Sequence, residues 1–158
     1  MIAKAFKSIH IRPMGFDDLS QVIQIENKSY DYPWSNKILY GCLENKYDCY
    51  VAAQNGEVLG YLISKISFPE SHILNLTVEN RQREKGIGSQ LLDLALSKSK
   101  LLGSQAIFLE TRKTNEAAKH LYNKYEFKKI GIRPNYYKTK DGKEDALVYC
   151  KKLDLIGT

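Results

Sequence analysis

Cysteine is scarce in this chain of 158 residues: Cys42, Cys49 and Cys150 stand apart, with no C-x-x-C pair. That odd, scattered usage argues against a disulfide framework or a zinc ribbon and points to reduced thiols in a cytoplasmic protein. His10, His72 and His120 show no ligand spacing, so no metal site is expected. Apolar runs are only a few residues long, too short to cross a bilayer, and no membrane partner is expected. The opening "MIAKAFKSIHIRP" lacks the apolar core of a secretory signal. Low-complexity tracts, linkers and internal repeats are also missing, which leaves one domain over residues 1–158, long enough to bury a real core.

Charge is present in excess of one sign. The formal net charge of +6 favours anionic partners such as nucleic acid, a ribosome or a phosphate-rich cofactor. The basic residues are spread along the chain, however, as on an ordinary solvated surface. Charge alone therefore does not argue for direct nucleic-acid binding.

The apolar pattern changes period along the chain. A short strand is expected over residues 9–12, then a helix over 17–29 with Leu19, Val22, Ile23 and Glu26 at helical spacing and Asp17 or Asp18 as cap. Pro33 in "YDYPWS" pushes Tyr32 out of helical conformation, and Ser35 suits the N-cap of a second helix through Leu43. Asn55-Gly56 between "CYVAAQ" and "VLGYLISKISF" is a hairpin signal. Pro69 ends that pair, and residues 73–79 form another strand. Beyond a glycine loop, Leu91, Leu92, Leu94, Ala95 and Leu101 make a helix stripe that stops at Gly103. "AIFLET" is a buried-type strand, and "NEAAKHLYNKYEF" is a helix opened by Thr114 or Asn115. "FKKIGIRPNYY" and "DALVYCKKL" close the chain as strands around Asp141-Gly142. The order β-α-α-β-β-β-α-β-α-β-β predicts a mixed α/β fold with one sheet.

The segment "RQREKGIGSQLL" has the parts of a phosphate cradle: glycines, bare backbone N–H groups and a helix start. A Walker A loop is absent, and a dinucleotide fingerprint fails because Leu91 stands where its third glycine belongs. A lone G-x-G also suits a plain strand-to-helix turn. The longer run Arg83, Glu84, Lys85, Gly86, Ile87, Gly88 fits R/Q-x-x-G-x-G/A and resembles the acetyl-coenzyme A loop of the GNAT superfamily of N-acetyltransferases. With "YPWS", "LNLTV", "FLETR", "TNEAAKHLY" and "RPNYYKTKDGKEDAL", the resemblance covers nearly the whole chain and points to the RimI family, bacterial ribosomal-protein-alanine N-acetyltransferases. It implies a single GNAT fold, α/β (α+β), with a mixed, mostly antiparallel sheet of six or seven strands flanked by four helices.

The same resemblance implies acetyl-coenzyme A as co-substrate and the N-terminus of a ribosomal protein as acceptor. Residues 83–88 and Ser89 would hold the pyrophosphate. Leu76, Thr77 and Val78 would pair with the pantetheine arm, and Asn115 would touch the coenzyme besides capping its helix. Acetyl transfer needs a neutral amine and a proton for the leaving thiolate. Glu110 matches the family's base, and apolar Phe108 and Leu109 beside it would raise its pKa. A solvated charge or a partner for Arg112 is the plainer reading of the same residue. Tyr122 matches the family's acid and is preferred to Tyr125, three positions on. Tyr32, Trp34, Asn135, Tyr136 and Tyr137 resemble the lining of a peptide groove, although such aromatics also serve as ordinary packing. A lysine side chain or a small-molecule amine is the alternative acceptor. A non-catalytic coenzyme-binding or ribosome-associated module is the alternative class.

Overall fold

A computed structural model describes residues 8–154; residues 1–7, where no secretory leader is expected, lie outside that range. Its elements follow the expected order. They are β1 (His10–Pro13), α1 (Leu19–Ser29), α2 (Asn36–Glu44), β2 (Asp48–Gln54), β3 (Glu57–Lys65), β4 (Glu70–Val78), α3 (Ile87–Leu102), β5 (Ala106–Arg112), α4 (Glu116–Lys124), β6 (Lys128–Thr139) and β7 (Gly142–Lys152). The seven strands form one sheet in the order β1-β2-β3-β4-β5-β7-β6, and β4–β5 is its single parallel pairing.

Local chemistry accounts for most boundaries. The β2–β3 turn needs two left-handed residues, and Asn55 (φ 51°) with Gly56 (φ 81°) supplies them. Ser35 Oγ accepts the Ile38 N–H at 3.1 Å and opens α2, while Asn115 Oδ1 accepts the Ala118 N–H at 3.1 Å and opens α4. The start of α1 differs from expectation. A 3-10 turn over Phe16–Asp18 precedes it, and neither acid caps the helix with its side chain. Asp18 instead takes both terminal nitrogens of Arg12 at 2.7 and 2.8 Å, and the Gly15 N–H at 2.8 Å. The Arg12 guanidinium holds that carboxyl below the usual carboxylate range, against the opposing pull of burial.

Two apolar layers cover the sheet. Leu91, Leu92 and Ala95 of α3 and Tyr122 of α4 pack with Leu62, Ile107 and Tyr149 on one face. Leu19, Val22 and Ile25 of α1 and Leu39 of α2 pack with Val51, Tyr61 and Ile63 on the other. One helix pair thus lies on each side.

The sheet is not continuous to its end. β4 and β5 pair only from Glu70–Ala106 to Ile73–Leu109 and then part. The β3–β4 register slips between Ile63 and Ser64, which face Asn75 and Ile73, so Leu74 is an extra, unpaired residue. A bulge of this kind bends its strand and increases the twist. It sits where β4 leaves β5, and beyond it β4 has no strand partner on that side.

Candidate active site

Where β4 and β5 diverge the molecule has a cavity of about 640 Å³. Its walls come from β4 and β5, from α4, from the segment between α1 and α2, and from the outer end of β6.

Strand alternation sorts β5. Ile107, Leu109 and Thr111 are buried, whereas Glu110 and Arg112 sit half-buried on the opposite face, and all but Ile107 border the cavity. Glu110 does not have the apolar surroundings expected from its sequence neighbours. Leu109 points to the other face, and Phe108 stacks on His72 with ring centroids 5.5 Å apart. Nor is Arg112 its partner. Arg133 of β6 approaches Glu110 Oε1 with Nε at 2.7 Å, while Arg112 pairs with Glu144 at 2.8 Å. Arg112 also lies 4.5 Å above the Tyr137 ring and donates to the Lys138 carbonyl at 3.0 Å, fixing that aromatic wall. Tyr136 lies beside Glu110; burial and then the carboxylate push its phenol up, so it stays protonated.

Tyr122 reaches the cavity from the opposite helix layer. Its ring packs against Phe127 and Tyr149, with centroids 5.7 and 6.0 Å away. Burial, and then nearby Tyr30 and Tyr137, push its phenol up. Tyr125 faces elsewhere, its hydroxyl 2.8 Å from Asp93 Oδ1 and 3.1 Å from the Ser89 carbonyl, and so ties α4 to α3. Asn115 both caps α4 and borders the cavity.

The three β4 residues separate. Leu76 lines the cavity, Val78 packs into the α3 layer, and Thr77 is buried with its hydroxyl 2.6 Å from that of Tyr30. Residues 83–89 follow β4 and a 3-10 turn and lead into α3 without lining the cavity. Glu84 (φ 66°) and Gly86 (φ 81°) are left-handed, and Gly86 immediately precedes the first residue of α3. Ile87 is buried and anchors this end, while a Cβ on Gly88 would meet Leu121 of α4 at 3.4 Å. Arg83 donates to the Val78 carbonyl at 3.3 Å, and Lys85 to Gln82 at 3.1 Å.

Of the expected groove residues, Tyr32, Trp34, Tyr136 and Tyr137 line the cavity. The Tyr32 hydroxyl spans to the Thr139 carbonyl at 3.3 Å. Asn135 does not line it. With φ 52° and its N–H on Asp145 Oδ1 at 3.0 Å, it belongs to a β6 bulge between Arg133 and Tyr137, next to the two tyrosines that border the cavity.

Glu26, Asn75 and Arg112 are among the cavity residues that carried no assignment to the site from sequence, and Tyr30 lies in the "YDYPWS" segment expected at the groove without having been singled out there. Glu26 is buried and accepts from the Tyr61 hydroxyl at 2.7 Å, the Asn75 amide at 2.8 Å and the Trp34 N–H at 2.9 Å. Its place in the apolar stripe of α1 was the available signal, since a carboxylate there must find buried donors. Among the described residues, no group of three or more His, Cys, Asp or Glu side chains could hold a metal ion. No helix there is long and apolar enough to cross a membrane.

Comparison with known proteins agrees with this architecture. The family model described as acetyltransferase (GNAT) family matches residues 16–127. The [ribosomal protein bS18]-alanine N-acetyltransferase of Escherichia coli strain K12 is 31% identical over 138 residues, 87% of this chain and 93% of that protein. The crystal structure of the Escherichia coli ribosomal-protein-S18-alanine N-acetyltransferase superposes with a TM-score of 0.87 at 29% identity, covering 95% of this chain and 97% of that one. Ard1 from Thermoplasma volcanium gives a TM-score of 0.84 at 26% identity over 92% and 98% of the two chains. The fold, the split sheet and these likenesses agree: the chain belongs to the GNAT family of acetyltransferases, as an N-acetyltransferase with RimI relatives.

Proposed function

We propose that this protein transfers acetyl from acetyl-coenzyme A to the N-terminal α-amino group of a protein, an alanine-starting small-subunit ribosomal protein in the first instance. The observation that carries the reading is the convergence of Glu110, from β5, and Tyr122, from α4, on one cavity at the split of the sheet. The acceptor class follows the name of the Escherichia coli relative, whose substrate is ribosomal protein bS18. The whole chain acts as one catalytic domain in the cytoplasm.

The residues present suit the coenzyme. Gly86 adds no Cβ beside the start of α3, whose first N–H groups have no helical partner and carry the positive end of the helix dipole. Arg83 and Lys85 bring mobile positive charge to the same turn. The partnerless edge of β4 after Ile73 offers backbone groups to the amides of an extended chain, as an added strand would take them. When bound, acetyl-coenzyme A supplies an activated thioester.

The protein's own groups do the remaining work. An α-amino group has a pKa of about 7.7–8.0, so a base near neutrality need only collect the proton of a partly protonated amine. Of the carboxylates bordering the cavity, Glu26 is committed to three buried donors, and Glu110 is the one suited to this role; Arg133 must move aside from it when an ammonium approaches. Tyr122, kept protonated by burial, holds a proton for the departing sulfur. Tyr32, Trp34, Tyr136 and Tyr137 shape the entry for an extended N-terminus.

Incubation with acetyl-coenzyme A and an Ala-leading peptide tests the reading. Product is expected on the free N-terminus, none on an N-blocked peptide containing lysine. Glu110→Gln and Tyr122→Phe should each lower kcat by about 10²-fold or more with native melting curves. Acetylation of the blocked peptide or of a small amine instead would move the acceptor class. Coenzyme binding without turnover on any amine would leave a binding module.

A further inference from the structure

We infer that Tyr30 is an acceptor-binding residue, whose phenolic oxygen takes an N–H of the incoming amine. This rests on the acetyltransferase reading of the cavity, but on none of the choices among amines.

The inference comes from a buried chain of hydrogen bonds whose donor directions are fixed from one end. Glu26 is a carboxylate and can only accept, so Asn75 must turn its Nδ2 toward it, at 2.8 Å. That leaves Asn75 Oδ1, an acceptor, facing Thr77 Oγ1 at 2.7 Å, and Thr77 must donate to it. A hydroxyl has one proton. The 2.6 Å contact between Thr77 and Tyr30 is therefore a bond in which Tyr30 donates. With its proton directed at Thr77, the Tyr30 oxygen has only lone pairs left to offer.

Tyr30 lines the cavity. Tyr30 is the residue immediately after α1, and its neighbours in the chain, Asp31 to Trp34, form the entry wall. Glu26, Asn75 and the α1 layer lie on the face of the sheet opposite α3 and α4, which carry the glycine turn and Tyr122. Tyr30 thus stands on the acceptor side of the split, with Glu110 and Tyr122 bordering the same cavity from β5 and α4. An amine entering there has up to three N–H bonds. Glu110 takes the one that is to be lost, and Tyr30 takes a second and so orients the nitrogen lone pair. An oxygen that cannot donate suits a nitrogen with no acceptor lone pair free before deprotonation. Glu26, Asn75 and Thr77 act through Tyr30 and are positioning residues.

Tyr30→Phe removes only the hydroxyl and keeps the ring. Steady-state kinetics with the amine that the wild-type protein acetylates best should show the acceptor KM raised about tenfold, the size expected for one hydrogen bond to a charged group. The acetyl-coenzyme A KM should stay within about twofold, and the melting curve should remain near native. Unchanged acceptor KM and kcat would overturn the proposal, and a loss confined to the coenzyme KM would reassign Tyr30 to the pantetheine side. A second comparison separates binding from packing. In the wild type, an N-methylalanine peptide, with one N–H fewer, should bind more weakly than the alanine peptide as a competitor, and Tyr30→Phe should narrow that gap. An equal gap in both proteins would show that the hydroxyl does not meet the amine. Because the assay uses whichever amine is turned over, a wild type active only on lysine or a small amine would defeat the proposed acceptor while leaving Tyr30 testable.

Discussion

Glu26 is the residue on which the proposed acceptor wall depends most. Its carboxylate receives three donors from three places: β3 through Tyr61, β4 through Asn75 and the segment after α1 through Trp34. All its bonds are accepted, so an amide cannot replace it without turning an N–H toward one of the three. Glu26→Gln is expected to cost about 1–3 kcal/mol, the penalty of one buried unmatched donor. For a chain of this length that lowers Tm by about 2–4 °C per kcal/mol. A thermal melt of the purified variant reads it directly, and an unchanged Tm would mean that the network does not constrain the fold. The acceptor KM should rise too, because Trp34 and Tyr30 both hang from this group. The sequence displayed the anomaly, an acid at an apolar helical position, without its resolution. Tyr61 and Asn75 lie 35 and 49 positions away, and only the β3–β4 pairing brings them together. Glu110 shows the same limit. Its strand-end place was legible, yet Arg133 reaches it from β6 across the intervening strand β7, an order only the sheet topology sets.

Among the elements, the turn into α3 carries the strongest local constraint. Gly86 at φ 81° has nothing within 4 Å of where a Cβ would stand, so space does not forbid a side chain; backbone conformation does. Left-handed geometry costs an ordinary residue about 1–2 kcal/mol. Gly86→Ala should therefore fold with a modestly lower Tm while tilting the first N–H groups of α3. Kinetics should show the acetyl-coenzyme A KM raised several-fold and the peptide KM near wild type. The reverse pattern would place the turn on the acceptor side and undo its assignment to the pyrophosphate. Elements of this kind were legible because one or two residues fix them, as with the Asn55-Gly56 hairpin and the Ser35 and Asn115 caps. The parting of β4 from β5 was not. The strand "ILNLTVE" alternates as a core strand would, and nothing in it announces that Leu74 is bulged out of register. The β6 bulge at Asn135 escaped for the same reason: its left-handed backbone goes with the register shift against β7, which sets this residue apart from the two tyrosines at the cavity.

The molecule as a whole acts as a partition. One helix pair and the glycine turn lie on one face of the sheet, the proposed acceptor wall lies on the other, and the split between β4 and β5 joins them. Two substrates reaching one opening from opposite faces can be bound together, which favours direct transfer over an acetylated enzyme. The thiols agree with this. Cys42 and Cys49 are buried in the α1–α2 layer, Cys150 lies on β7, and none of the three lines the cavity. Burial, then Cys42 and Asp48, pushes the Cys49 thiol up to about 12, and burial raises the other two as well, so all are poor nucleophiles near neutrality. Initial-rate measurements with both substrates varied should therefore give intersecting rather than parallel double-reciprocal lines. Intact mass after incubation with acetyl-coenzyme A alone should show no acetyl group gained. Brief iodoacetamide treatment of the native protein should leave kcat unchanged. Parallel lines together with a stable mass increase would require a covalent carrier, and the cavity would then have to open to a residue that now lies outside it.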